Sequence, residues 1–588
     1  MSDPAWLVAL LLAQATPMWP QSLSNSGEIR VETVVLSVEG ATRPARPRKG
    51  WRPQADEATG LALVHNPGEP LGPEWVRRQF TANGLVGPAV APERIGALVQ
   101  LINLAFAANG YINSGVVLAR QTDGDPTLRL RLIGGNLAAA QGHEPIVVRW
   151  RDGHRRGLSA RYVIARMSAA RETPLNQPAL EHDFRNLADN SAIRTVDAQL
   201  QPGVNASEAS LLLTVDPASR FDLYVSAANS RSPSVGGNRI AVGGSMRNAI
   251  FTGDVLGVEY GSTSGLNDLT ASETLPLGAS GFAVAVRGGF NRAAVTDRPL
   301  IPLVIRSSEW YVEGSVKRTL LSDPLLPGGE PGRWQPSQNA TVGLIAVHRR
   351  VTSSLLGEPF SFSPGTIDGR IEYTALRLAA DYTRRSPNSV FALALTATLG
   401  IEGTRSVPPG PQTPSEHFTA LLLQANYARR LNTSGLELRL RASGQLAGGL
   451  LYSPERFAIG GADTVRGYRE SLLLTDEALV GSIGLAQPMM IGGRRHGGFS
   501  PGSFVIGPFL DGVISHNRQP PQPLPPSIAS IGAALDWTPA SWLFARGTFG
   551  QPLRFVRATG DRNFQDRGFE FRVTIRPLEL LNRSRRSG

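Results

Sequence analysis

From about Arg220 to the C-terminal region, hydrophobic and polar positions alternate with a period of two. Leu436-Glu437-Leu438-Arg439-Leu440-Arg441 alternates strictly, and so does Phe569-Glu570-Phe571-Arg572-Val573-Thr574-Ile575-Arg576. Similar segments run over 221–227, 240–246, 282–290, 310–316, 341–348, 371–382, 391–399 and 418–427. Successive side chains of a strand point to opposite faces, so this pattern predicts strands with one apolar and one polar face. A soluble sandwich shows the same period. About 370 residues of it without a helical pattern exceed the usual single sandwich and favour a closed barrel, apolar outside and polar within. Sixteen strands would give each strand and its loop about 23 residues, enough for membrane spans of about 9–11.

Residues 28 to about 216 follow a different pattern. Ile29–Leu36 begins with strand-like alternation, and a Pro/Arg-rich stretch from Ala41 to Pro53 reads as a loop. Pro92-Glu93-Arg94 opens a helix whose apolar face is Ile95, Leu98, Val99, Ile102, Leu104 and Ala105, ending at Asn109-Gly110. Strands are expected at 111–118 and 127–133. The order then recurs: a strand at Pro145–Trp150, helices at 158–169 and 177–188, and strands at 194–201 and 208–215. Two successive units of one architecture are predicted.

Composition narrows the picture. The 63 glycines and 44 prolines suit a turn-rich β chain, and the absence of cysteine excludes disulfides, thiolate metal sites and a cysteine nucleophile. A net charge of +11 first suggests nucleic acid, but the basic residues are spread along strand-like segments rather than gathered in one patch. No nucleic-acid partner is expected, and a charged lumen accounts for them better. Ala5–Leu12 followed by Ala13-Gln14-Ala15 reads as a signal-peptide core and cleavage site (residues 1–15), although Met1–Pro4 carries no Lys or Arg. No other run of about 18 apolar residues exists, so a membrane-spanning chain would have to cross as a closed barrel.

No nucleophile elbow, phosphate loop or His-Glu-x-x-His occurs, and neither an enzyme nor a cofactor is expected. His182 between Glu181 and Asp183 reads as a solvated helix face, and Thr122-Asp123-Gly124-Asp125 as a hairpin turn rather than a calcium loop.

Phe457-Ala458-Ile459-Gly460-Gly461-Ala462-Asp463-Thr464-Val465-Arg466-Gly467-Tyr468 resembles a motif of the two-partner secretion outer-membrane transporters. This is the TpsB family, ShlB/FhaC/HecB-like, within the superfamily of barrels preceded by POTRA domains. There Val/Ile-Arg-Gly-Tyr tips the sixth extracellular loop, which folds back into the lumen. Phe106–Ile112, with its Gly110-Tyr111 pair, resembles the end of the long helix of the first POTRA domain. Leu128–Gly135 resembles that domain's closing strand, with Gly134 where the family usually has Glu. Thr173–Asn176 and Leu200–Gly203 resemble turns of the second POTRA domain. Gly507–Gly512 resembles the strand that supplies an acidic partner to the loop arginine, so the resemblance implies an Arg466–Asp511 ion pair.

The implied organisation is a signal peptide (1–15), α+β POTRA domains (28–137, with the inserted Pro/Arg-rich loop, and 144–216), an all-β barrel of sixteen antiparallel strands (217–577) and a basic tail (578–588). The implied location is the bacterial outer membrane, with the POTRA domains in the periplasm. The implied partners are a secreted TpsA-like exoprotein, adhesin or cytolysin, together with outer-membrane lipid and the barrel-assembly machinery that inserts the chain.

Besides Gly134, three departures from the family pattern stand out. Gly484 lies where relatives often carry Glu, which would remove a second acidic partner of Arg466. Thr16–Gly27 is too short for a plug helix and its linker, so no plug helix is expected. The chain does not end on an aromatic residue, so its barrel-assembly signal is expected internally, at Gly568-Phe569-Glu570-Phe571. The rival readings are a factor that inserts other barrels, which more often carries several POTRA domains, and a passive porin or receptor, which needs none.

Overall fold

The computed structural model describes residues 28–581, apart from 41–42, 49, 122–124, 139–143, 204–206, 328–332, 364, 405–412, 492–501 and 557–559. The signal peptide, the stretch considered for a plug helix and residues 582–588 of the tail fall outside the described residues. The chain divides into two compact units, Met1–Ala218 and Ser219–Gly588.

The N-terminal unit holds two small α/β layers with the same connectivity. In the first, β1 (Thr33–Gly40) leads through α1 (Pro73–Ala82) and α2 (Pro92–Ala108) to β2 (Gly115–Leu118) and β3 (Thr127–Gly134). The last strand is central: β1 runs parallel to it, Thr33 opposite Thr127, and β2 antiparallel. In the second layer β4 (Ile146–Trp150) is followed by α3 (Ala160–Ile164), α4 (Gln177–Ala188), β5 (Ile193–Pro202) and β6 (Glu208–Pro217). Again the first strand lies parallel to the last and the penultimate one antiparallel.

Helix α2 forms because apolar residues recur at helical spacing behind a proline at its first turn. Ile95, Leu98 and Ile102 are fully buried with Trp75 and Phe80, each worth roughly 1.5–3 kcal/mol of burial. The helix predicted at 158–169 is shorter. It stops at Ile164 and gives way to a 3-10 turn at Ser168–Arg171. Arg166 lies over the Tyr162 ring at 3.4 Å and donates to the Tyr162 carbonyl (3.0 Å), drawing off a carbonyl from the helix end. The strand predicted from Tyr111 begins only at Gly115. Among the described residues no helix is long and apolar enough to cross a membrane.

The second unit is a closed antiparallel barrel of sixteen strands. Its first eight are β7 (Phe221–Ala228), β8 (Arg239–Arg247), β9 (Val255–Ser262), β10 (Leu266–Pro276), β11 (Phe282–Ala294), β12 (Arg306–Asp323), β13 (Ser337–Leu355) and β14 (Arg370–Arg385). The other eight are β15 (Ser389–Gly403), β16 (Thr419–Arg430), β17 (Glu437–Ala447), β18 (Glu477–Ile491), β19 (Gly502–His516), β20 (Ser527–Ala540), β21 (Leu543–Pro552) and β22 (Phe569–Ile575). Each pairs with its sequence neighbour, and β22 closes the ring on β7.

Alternate residues face outward and are apolar: Ile240, Leu344, Leu378 and Ile514 are all more than half exposed on that face. The opposite face carries paired charges, among them Arg349–Glu309 (2.9 Å) and Arg239–Glu259 (2.7 Å). An outward apolar and inward polar wall satisfies every strand without an open edge.

Candidate functional site: a loop fixed inside the barrel

The connection between β17 and β18 turns back along the barrel's inner wall. Its base is a short ribbon in which Phe457–Ile459 pairs with Leu473–Thr475. Gly460 and Gly461 follow the ribbon at φ +103° and +92°, backbone angles that L side chains rarely adopt. Neither has space for a Cβ, which at Gly460 would stand 2.2 Å from the Arg469 carbonyl oxygen. The Gly460 N–H donates to Thr464 Oγ1 (2.8 Å), closing the turn that presents Val465-Arg466-Gly467-Tyr468.

The four residues of that tip divide the work. Val465 is fully buried and Tyr468 nearly so, in a cluster with Ile459 and the wall residues Ala478, Val480, Val513 and Ile528. The Tyr468 hydroxyl lies 2.9 Å from the Ala529 carbonyl oxygen and 2.8 Å from that of Arg554. Gly467, at φ +91°, rests on the backbone of Gly550 in β21.

Arg466 donates from Nε and Nη2 to the two oxygens of Asp511 at 2.7 Å each, and its backbone N–H reaches Oδ2 at 3.1 Å. Asp511 is 1% exposed. A bidentate fork on a buried carboxylate is among the stronger and most directional contacts a side chain makes.

Gly484 sits opposite Phe509 in the β18–β19 ladder and supplies no second carboxylate. The guanidinium instead lies over the Phe509 ring at 3.4 Å and donates to Ser482 Oγ at 3.1 Å, Ser482 being the cross-strand neighbour of Asp511. An aromatic face and a hydroxyl thus stand where the family pattern suggested an acid.

Sequence reasoning missed the anchors along the rest of the loop. Arg456 pairs with the fully buried Asp476 (3.2 Å) and donates to Asn517 Oδ1 (2.7 Å). Glu455 accepts from Arg377 (2.7 Å) and from the Tyr373 hydroxyl (2.6 Å). Arg469 reaches Asp566 (2.5 Å) and the Asp561 carbonyl (2.8 Å) in the connection between β21 and β22. These partners lie far apart in sequence, and no local pattern marks them. Arg441 completes the set, donating to the Thr464 carbonyl (3.0 Å). Among the described residues no group of His, Asp and Glu could hold a metal ion.

Residues 368–498, which include the whole loop, match the model of the haemolysin secretion/activation protein ShlB/FhaC/HecB family. Over 98% of its length the chain has the fold of CdiB from Escherichia coli, with 99% of that chain covered, a TM-score of 0.60 and 16% identity. CdiB from Acinetobacter baumannii is similar over 98% of this chain and 100% of that one, with a TM-score of 0.55 and 14% identity. No curated protein matches the sequence. The resemblance read from 457–468 thus meets a family match over the same residues and a shared fold over nearly the whole chain.

Proposed function

We propose that this protein is an outer-membrane translocator of the two-partner secretion type. The two N-terminal α/β layers stand in the periplasm as POTRA domains and bind one unfolded secreted partner. The partner then passes through the barrel without ATP and folds outside, which makes its passage one-way. Strand edges such as those of β2 and β5 suit an extended segment added by main-chain hydrogen bonds, largely independent of side chains. The observation that carries the reading is the Arg466–Asp511 fork, which holds a loop inside a closed sixteen-strand barrel. A loop held by discrete contacts has a docked and a released arrangement, as a gate requires.

The test is export of the partner from cells carrying the full chain or a chain lacking 28–216. Export without those residues would refute their recruiting role. The rival reading, a factor that inserts other barrels, predicts that deleting the gene depletes many outer-membrane proteins rather than a single exported one.

A further inference from the structure

In the N-terminal unit, residues 43–48 and 50–53 of the Pro/Arg-rich stretch form one wall of a cleft of about 1310 Å³, faced by the His65–Pro70 turn and by Arg171–Asn176. Four arginines line it: Arg43, Arg46, Arg48 and Arg171. All four are exposed, and none lies within ion-pair distance of a carboxylate among the described residues. Glu172 is the single acidic residue among the described residues of the lining.

The backbone beneath these arginines is fixed. The Arg46 N–H donates to the Tyr111 hydroxyl (2.9 Å), which donates in turn to the Arg46 carbonyl (3.0 Å). The Arg48 N–H donates to Asn109 Oδ1 (2.7 Å), and the Leu71 N–H to the Ala45 carbonyl (2.7 Å). Pro44 and Pro47 restrict the chain between these pins. Arg46 and Arg48 are thus carried on fixed backbone at one wall of the cleft, where an anionic ligand would meet both. Trp51 stands edge-on to His65 at 5.0 Å, and its buried indole N–H has no acceptor among the described residues.

We propose that this cleft binds an acidic, extended polypeptide segment, which under the translocator reading belongs to the secreted partner. Guanidinium forks suit carboxylates, while the prolines and rings of the lining offer apolar contact to the rest of a peptide. A bilayer surface is too flat to enter the cleft, and a free phosphate would engage only part of it.

The test uses the full chain in detergent and the fluorescence anisotropy of a labelled Glu/Ser peptide, with a Lys/Ser peptide as control. The expected result is salt-sensitive binding of the acidic peptide alone, weakened at least about tenfold in Arg46→Glu/Arg48→Glu. Arg94→Glu, an exposed arginine on α2 outside the cleft, should leave binding unchanged. The substituted side chains are exposed and the anchoring bonds are made by backbone amides, so the fold is retained.

Unchanged affinity in the double variant would overturn the proposal. So would full competition by low inorganic phosphate, or preferential binding of phosphatidylglycerol vesicles through the same arginines. Partner export that persists with no peptide binding would remove the cleft and leave the translocator reading standing. Peptide binding in a chain that exports nothing would do the converse.

Discussion

Gly467 and Gly550 touch backbone to backbone. A Cβ on Gly467 would stand 2.5 Å from the Gly550 carbonyl oxygen, and one on Gly550 would stand 2.7 Å from the Gly467 nitrogen. The loop tip docks on β21 through the absence of two side chains.

Gly467→Ala should therefore lift the tip. The alanine meets a steric overlap and also a left-handed φ that costs about 1–2 kcal/mol. Single-channel conductance in planar bilayers should rise, and Gly550→Ala should do the same. Gly512→Ala, where a Cβ would meet nothing within 4 Å, should behave as wild type. Indistinguishable channels from all three would remove the docking argument.

Removing the Arg466 side chain leaves Asp511 buried without its guanidinium fork, and breaking a buried pair in this way costs about 3–5 kcal/mol in comparable settings. Arg466→Ala and Asp511→Ala should each raise conductance and impair partner export, with the double variant little worse than either single one. Arg466→Lys keeps the charge but loses the fork and the flat contact with Phe509, so it should fall between. Ser482→Ala removes one charge-assisted hydrogen bond and should cost about 1.5–3 kcal/mol, less than loss of the fork. Wild-type export from both alanine variants would sink the gating role of the pair.

The seam between β7 and β22 has four ladder pairs, Val225–Ile575 to Ala228–Arg572. Asn229 lengthens it with its side chain, which donates to the Phe569 carbonyl (2.8 Å) and accepts from the Phe571 N–H (2.6 Å). Asn229→Ala should weaken the seam by about 1–3 kcal/mol and lower the temperature at which the barrel changes mobility on denaturing gels. Asn229→Asp would set a buried carboxylate against the Phe569 carbonyl oxygen, so it should lower that temperature at least as far. An unshifted temperature in the alanine variant would show that the seam does not limit barrel stability.

The barrel was legible where strands put Leu, Ile, Val or Phe at successive outward positions, as at β22 and at Leu438 and Leu440 of β17. It was harder to read at β10, whose outward face includes Asn267, Ala271 and Glu273 beside Leu269. Helix α1 escaped notice because Trp75, Val76, Gln79 and Phe80 span too few turns to set up a periodicity, and the helix is recognisable mainly by what it buries. At the loop, Arg466 and Asp511 were readable as a motif and its partner strand. Phe509 and Ser482 were not, because their contact with Arg466 depends on the register of β18 against β19. The remaining anchors, Asp476, Glu455 and Asp566, are ordinary acids until the fold brings an arginine to each.

The ring closure also bears on how the molecule comes into being. Fifteen of the strand-to-strand joins link neighbours in the chain, so each can form once its second strand has been made. The sixteenth spans the whole barrel: Asn229 meets Phe569 across 340 positions. Until that final strand arrives, the sheet has two unsatisfied margins and cannot rest in a bilayer unaided. Loss of the last few dozen residues would therefore leave a sheet that never closes into a pore.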